Sequence, residues 1–311
     1  MTDAVQQALD LWGVTGCRTT LVAQRENHVY RVEGPVPMAL RLHRAGLRSK
    51  AELRSELDWM AALARGGLSV PRPCPARDGA LCHQIGDRIV DMLSWLDGAP
   101  MGSAGRLDPA LDGPTAYGAL GAAMARLHLV SDGWTPPAQF TRPAWDADGL
   151  LGEAPLWGRF WDNPRLTPDQ AALMRQARAA AMRALADHLP QADYGLIHAD
   201  LVPENVLIGP NGPHLIDFDD GGYGFRLFDI ATVLNHALRA ADPGPLRQAF
   251  LVGYQGLRAI DLAALPLFQA LRAFTYVGWI VPRLSEPGAT ARHARFTTLA
   301  CQMAETLLIR G

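Results

Sequence analysis

The chain has 311 residues, enough for one large domain or two lobes. Its 29 basic and 31 acidic residues leave a net charge of -2, so no basic field invites nucleic acid or an anionic membrane. Four cysteines, Cys17, Cys74, Cys82 and Cys301, stand at no metal-ligand or disulfide spacing and read as reduced thiols.

The opening MTDAVQQALDLWG lacks a basic region followed by an apolar core, so no secretory leader is expected and the cytoplasm is the default compartment. Residues 4–12 read as a short amphipathic helix with Val5, Ala8, Leu9 and Trp12 on one face. Strands are expected at 19–22, 28–32 and 38–43, the last alternating Met38, Leu40 and Leu42 against Ala39, Arg41 and His43. Arg25-Glu26-Asn27 is a tight polar turn, and Gly34-Pro35 makes a second. Residues 50–63, KAELRSELDWMAAL, form a helix whose stripe is Leu53, Leu57, Met60 and Ala61; Gly66-Gly67 ends it. An extended Val70-Pro71-Arg72-Pro73 leads to a hairpin at 80–84 and 88–93.

The remainder is mostly helical. Residues 114–129 carry Leu120, Met124 and Leu127 on a stripe, and 167–189 run until Pro190. Between them lie Trp134, Phe140, Trp145, Trp157, Phe160 and Trp161 among prolines and glycines, either packing or the walls of an acceptor pocket. Asp146 and Asp148 there are solvated acids or partners of a cationic acceptor. Further helices are expected at 245–257, 261–284 and 291–308, with Pro266 and Pro282 shortening or kinking the middle one. The apolar stretch 262–280 is interrupted by Pro266, Gln269 and Arg272 and reads as a buried helix, not a membrane span.

The chemistry concentrates in Leu196 to Asp220, LIHADLVPENVLIGPNGPHLIDFDD. Asp200 and Asn205 follow His198 in the spacing H-x-D-x-x-x-x-N, and Asp217 comes twelve residues after Asn205. Short apolar runs flank the turn Gly209-Pro210-Asn211-Gly212-Pro213, which predicts a hairpin with an acid at its mouth. Phosphoryl transfer needs such a set: one carboxylate to orient and deprotonate a hydroxyl, and an Asn with a second carboxylate to hold magnesium.

This stretch resembles the catalytic and metal loops of the aminoglycoside phosphotransferase and choline kinase group. With IDFDD, a following G-x-G-x-R-x-x-D and LRLHR near the N-terminus, it is nearest in flavour to homoserine-kinase-type and stress-response-kinase-type members. The resemblance implies a two-lobed α+β protein-kinase-like fold: residues 1–95 as a nucleotide-binding lobe, a five-stranded antiparallel sheet with one helix, and 96–311 as a mostly helical lobe with the catalytic loop and acceptor pocket. It makes Asp200 the catalytic base, Asn205 and Asp217 the magnesium ligands, His198 a loop organiser and Asp219 a supporting acid. Asp229, at a helix start, is expected to brace the catalytic loop or to serve the helix dipole.

The same resemblance places Arg41 where the family has a third-strand lysine that reaches phosphates and pairs with a helix glutamate. Glu56 suits that register, with Glu52 as the fallback. Arginine keeps the charge but is bulkier and forked, a departure that puts the phosphate geometry in question. No G-x-G-x-x-G covers the phosphates; Asn27 in QRENHVY offers an amide or backbone N–H instead, or is a plain polar turn. Residues 94–98 read as the hinge, with a base bonding backbone between Met92 and Trp95. The short segment 221–226 stands in for a long activation segment and argues against control by loop phosphorylation.

The implied reaction uses ATP and Mg2+ to phosphorylate a hydroxyl of a small molecule, an amino alcohol such as homoserine, a sugar or an aminoglycoside-like compound. The competing readings are a stress-response-type protein serine/threonine kinase and a nucleotide-binding pseudokinase that acts through interaction. Acceptor identity, ATP against GTP and oligomeric state leave no trace in the sequence.

Overall fold

The computed structural model describes residues 3–24 and 27–310; Arg25 and Glu26 of the expected polar tip lie outside them. The elements run in chain order as follows. Helix α1 (Asp3–Trp12) precedes β1 (Thr19–Gln24), β2 (His28–Val32) and β3 (Met38–Leu42). Helix α2 (Lys50–Arg65), β4 (Cys82–Ile85), β5 (Arg88–Ser94) and β6 (Ala99–Pro100) come next. Short strands β7 (Gly102–Ser103) and β8 (Arg106–Leu107) lead to α3 (Gly113–Asp132), β9 (Ala144–Trp145), α4 (Ala147–Leu151) and α5 (Pro168–His188). Then come β10 (Tyr194–Ile197), β11 (Val206–Gly209), β12 (Gly212–Leu215) and β13 (Gly222–Phe225). Helices α6 (Arg226–Ala237), α7 (Gly244–Gln255), α8 (Leu265–Trp279) and α9 (Ala289–Arg310) close the chain.

The architecture is α+β and protein-kinase-like. The contacts divide it into two compact units: Met1–Pro100 with Leu129–Arg142 and Asn205–Asp219, and Met101–His128 with Pro143–Glu204 and Asp220–Gly311.

In the first unit five strands form an antiparallel sheet in the order β1-β2-β3-β5-β4. Period-two alternation sends Val32, Leu40, Leu42, Val90 and Met92 into one core with Val5, Ala8, Leu9 and Trp12 of α1. Helix α2 is started by Ser49 and Glu52, which bond reciprocally across the first turn. Its Leu53, Leu57, Trp59, Met60 and Leu63 are buried, and Trp59 meets the fully buried Phe218 edge-on. The β11–β12 hairpin, with Val206 opposite Leu215, belongs to this unit, and β6 extends it.

In the second unit α8 packs between α6 and α9. Nearly every α8 residue is buried, which explains why its sequence shows little amphipathic alternation. Pro266 sits in its first turn, and Pro282 falls in the short 310 turn after it, so both prolines bound the helix rather than kink it. Helices α3 and α7 approach backbone to backbone: a Cβ at Gly121 would lie 2.1 Å from Phe250 O, and one at Gly253 would lie 2.0 Å from Gly118 O. The glycine-rich segment after Asp220 becomes β13, antiparallel to β10 and parallel to β9. No helix among the described residues is long and apolar enough to cross a membrane.

Candidate active site

The nucleotide-side candidates gather in the first unit. Alternation along β3 puts Leu40 and Leu42 in the α1 core and turns Arg41 to the other face, toward α2. Arg41 is 6% exposed, not the solvent-facing strand arginine that a bare pattern allows. Its Nη1 donates to Glu56 Oε1 at 2.8 Å, while Nε and Nη2 fork onto both oxygens of Asp91 at 2.8 and 2.9 Å. Glu56 Oε2 accepts from Arg142 at 3.2 Å, and Asp91 Oδ2 lies 2.6 Å from His43 Nε2. Glu52, the fallback, instead caps its own helix at Ser49.

This set shows why an arginine suits the position. Two buried carboxylates must be matched, and a planar fork serves both where an ammonium serves as a point charge. Burial alone would push both acids up. The guanidinium of Arg41 overrides it, so Asp91 is held at about 2 and Glu56 below the usual carboxylate range. Burial works against the Arg41 cation in turn, and Asp91 and Glu56 lift its pKa well above the ordinary value. Three of its five N–H groups are engaged by these acids.

Asn205 and Asp217 flank the hairpin β11–β12, one before its first strand and one after its last. The ladder continues past Val206–Leu215 through Ile216 N donating to Asn205 O at 3.0 Å, which draws both residues to the open end of one hairpin. Asp217 has φ +65°, a left-handed conformation rare for a residue with a Cβ and typical of a constrained functional turn. Phe218 behind it is fully buried, and Arg142 Nη2 donates to the carbonyls of Phe218 and Asp219 at 2.7 and 2.8 Å. Arg142 therefore ties Glu56 of α2 to the segment that carries Asp217. Asp219 accepts from Asn27 Nδ2 and lies 3.8 Å from Arg41 Nη1. The Asn27 amide thus links the β1–β2 tip to the same segment. No group of three or more His, Cys, Asp or Glu among the described residues is arranged around a metal. One amide oxygen and one carboxylate at a hairpin mouth nevertheless fit a hard cation that keeps waters and phosphate oxygens in its shell.

At the expected hinge the backbone is engaged inside the unit. Met92 O accepts from Cys74 N at 2.8 Å, and Trp95 N donates to Pro37 O at 3.2 Å. Trp95 Nε1 donates to Asp97 Oδ1, and Arg31 lies 5.0 Å over its ring.

The candidate catalytic residues His198 and Asp200 stand in the second unit. Asp229, fully buried in the first turn of α6, accepts from His198 N at 2.8 Å and Ala199 N at 2.6 Å. Ala199 has φ +65°, so the turn before Asp200 is left-handed and Asp229 holds it. His128 Nε2 bonds the same carboxylate at 3.1 Å, and its Nδ1 lies 2.7 Å from the Tyr254 hydroxyl. An ionised carboxylate only accepts, so Nε2 carries the proton and Nδ1 accepts from Tyr254. Burial pushes His128 down to about 4, which keeps it neutral. Burial opposes ionisation of Asp229 too, yet hydrogen bonds from His128 and His198 N keep its carboxyl below the usual range. Asp200 N donates to His198 Nδ1 at 3.4 Å.

Asp200 itself is ion-paired. Arg272 Nη2 lies 2.6 Å from Asp200 Oδ1 and 2.7 Å from Tyr276 OH. Arg272 is fully buried in α8, its guanidinium 4.5 Å from the Trp157 ring and 4.3 Å from the Tyr276 ring. The aromatic segment resolves into two parts. Trp145, Phe160 and Trp161 are core, whereas half-buried Trp157 caps Arg272 and donates to Asp220 Oδ1 at 3.3 Å. Asp146 is a helix cap, accepting from Gly149 N at 2.8 Å.

Sequence reasoning missed Asp91, His43, Arg142, Arg272 and Tyr276. The signal for Arg272 was present: a lone arginine inside an otherwise apolar helix is expensive unless it has an acid to meet. Asp91, an acid inside a strand otherwise apolar, carried the same signal.

The sequence model of the phosphotransferase enzyme family matches residues 19–268. The chain belongs to this family. Two relatives and one solved structure illustrate its place among phosphotransferase enzymes. An uncharacterized protein of Deinococcus radiodurans is 34% identical over 294 residues, covering 90% of this chain and 81% of that one. A homoserine kinase of Acidiphilium cryptum is 31% identical over 239 residues, covering 75% of this chain and 70% of its own. The structure of a microcompartment-associated aminopropanol kinase superposes with a TM-score of 0.83 at 30% identity, covering 99% of this chain and 97% of that one.

Proposed function

We propose that this protein is an ATP- and magnesium-dependent phosphotransferase whose acceptor is a hydroxyl of a small molecule, an amino alcohol such as homoserine, a sugar or an aminoglycoside-like compound. The observation that carries the reading is the braced left-handed turn at Ala199, which presents Asp200 against Arg272. The names of two relatives, a homoserine kinase and an aminopropanol kinase, support an acceptor bearing an amine near its hydroxyl.

In this mechanism the acceptor oxygen bonds to the γ-phosphorus as the bond to the β–γ bridging oxygen breaks, and ADP departs with that electron pair. Asp200 orients the hydroxyl and takes its proton late, since the transition state is loose. Arg272 is a positioning residue: its Nη2 holds Asp200 Oδ1 and fixes the orientation of the carboxylate that meets the acceptor. Asn205 and Asp217 are the residues that would hold magnesium, which when bound would supply positive charge to offset that of the phosphate groups. Arg41, its fork fixed by Glu56 and Asp91 and Glu56 held in turn by Arg142, would offer phosphate the N–H groups that those two acids do not engage. The test is ADP release against a panel of hydroxyl acceptors for wild type, Asp200→Ala and Asp217→Ala. Both variants are expected to fold and to lose kcat by about a hundredfold or more. Turnover by Asp200→Ala near that of wild type overturns the assignment. Phosphate found on a protein substrate or on the chain itself makes the acceptor a protein.

A further inference from the structure

The catalytic loop is the near end of a continuous polar path inside the second unit. Hydrogen bonds of 2.6, 2.7 and 3.0 Å lead from Asp200 to Arg272, from Arg272 to the Tyr276 hydroxyl, and from that hydroxyl to His236 Nε2. His236 Nδ1 lies 3.3 Å from Gly105 O, and Arg239 donates to the neighbouring Ala104 O.

Its far end is crowded with cations. Arg106 follows Gly105 in the tight β7–β8 turn against which Arg239 lies. Gly105 makes that approach feasible: with φ +68°, a Cβ there would fall 2.2 Å from Arg239 Nη1 and 2.9 Å from His236 Nδ1. Arg295 comes from α9, its guanidinium 5.1 Å from the Phe296 ring, and Phe296 stacks on Tyr276 at 4.8 Å. Among the described residues the carboxylate acting on both Arg239 and Arg295 is Glu204, whose Oε1 accepts from Gly105 N at 2.6 Å. Burial first, then Arg295 and Arg106, lower the Arg239 pKa; burial first, then Arg106 and Arg292, lower that of Arg295; Glu204 opposes the shift in both. His236, pushed to about 4 by burial with Arg272 next, stays neutral and adds no positive charge. Arg272 is matched by Asp200 and adds nothing to the surplus. Three guanidiniums, Arg106, Arg239 and Arg295, thus outnumber the one acid that faces them, Glu204; such an excess suits an oxyanion, and arginine's fork suits a carboxylate.

We infer that the phosphate acceptor carries a carboxylate, bound by Arg239 and Arg295 with support from Arg106 at the far end of this path, while its hydroxyl lies at Asp200. The inference rests on the phosphotransferase reading of Asp200 and narrows its acceptor to hydroxy amino acids and hydroxy acids rather than bare amino alcohols. It also divides the relatives: homoserine has the carboxylate, aminopropanol lacks it.

Matched acceptors that differ by the carboxylate alone provide the test: L-homoserine against 3-amino-1-propanol, and L-threonine against 1-amino-2-propanol. Wild type is expected to favour the better acid of the four over its amino alcohol by about tenfold or more in kcat/KM, the worth of one charge-assisted bond. The Arg239→Gln/Arg295→Gln variant is expected to raise KM for that acid about tenfold, with kcat changed less, and so to close the gap to the amino alcohol. A preference for the amino alcohols, or an unchanged KM in a folded variant, overturns the inference and leaves the kinase reading intact. Calorimetry of the same four compounds on wild type separates the two claims without any variant. Acid binding without turnover supports the anion site and counts against the kinase reading. Binding of neither acid overturns the anion site.

Discussion

Replacing Asp229 by Asn isolates what holds the catalytic turn. The carboxylate accepts three hydrogen bonds with no exposure to solvent: Ala199 N on Oδ1, and His198 N with His128 Nε2 on Oδ2. An amide supplies one accepting oxygen and one NH2. If the oxygen faces Ala199 N, the NH2 confronts His198 N; if it is flipped, the NH2 confronts Ala199 N. His128 can change tautomer and adapt, but one backbone N–H of the turn is unpaired either way. An unpaired buried donor costs about 1–3 kcal/mol, and the remaining bonds lose their charge assistance, for a loss of about 3 kcal/mol after the smaller desolvation cost of an amide. Part of the loss comes from Ala199, whose left-handed conformation costs about 1 kcal/mol and has lost its restraint. Ala199→Gly in the Asp229→Asn background should therefore recover about 1 kcal/mol, since glycine adopts that conformation without strain. Urea midpoints of wild type, the single and the double variants measure both terms, and turnover should fall in Asp229→Asn with little change in nucleotide KM. A single variant within 0.5 kcal/mol of wild type, or a double variant no better than the single, would refute the account of the turn.

Arg41→Lys should lose about 3 kcal/mol and weaken Mg-ATP binding, because an ammonium cannot serve both Asp91 oxygens and Glu56 at once; urea unfolding and nucleotide titration check it. His128 gives a pH signature. Its folded pKa of about 4 lies below the ordinary histidine value, so between those two values the unfolded chain binds the extra proton. Its contribution is fully present above pH 6.5 and is lost as pH falls toward 4, about 2 kcal/mol of it by pH 5. Unfolding at pH 7 and 5 should show that slope and His128→Gln should lose it; an imidazole of the folded protein titrating near 6.5 at this residue would refute it.

Much of this molecule could be read before folding. Strand alternation and helix stripes depend on neighbours a few residues away, so the small sheet, α2 and the β11–β12 hairpin were legible as local patterns. The H-x-D-x-x-x-x-N spacing and the acid after the hairpin were legible because the catalytic and metal candidates lie on one short stretch. Glu56 was legible as an acid at the right turn of α2. The partners that set the strength of these groups were not, because burial and pairing are made by segments far apart in the chain. Asp91 reaches Arg41 only through strand pairing, and Arg142 reaches Glu56 across 86 residues. Arg272 meets Asp200 across 72 residues. Sequence determined which residue types stand where; the tertiary structure alone decided which charges are removed from water together, and therefore which are matched and which remain to bind a ligand.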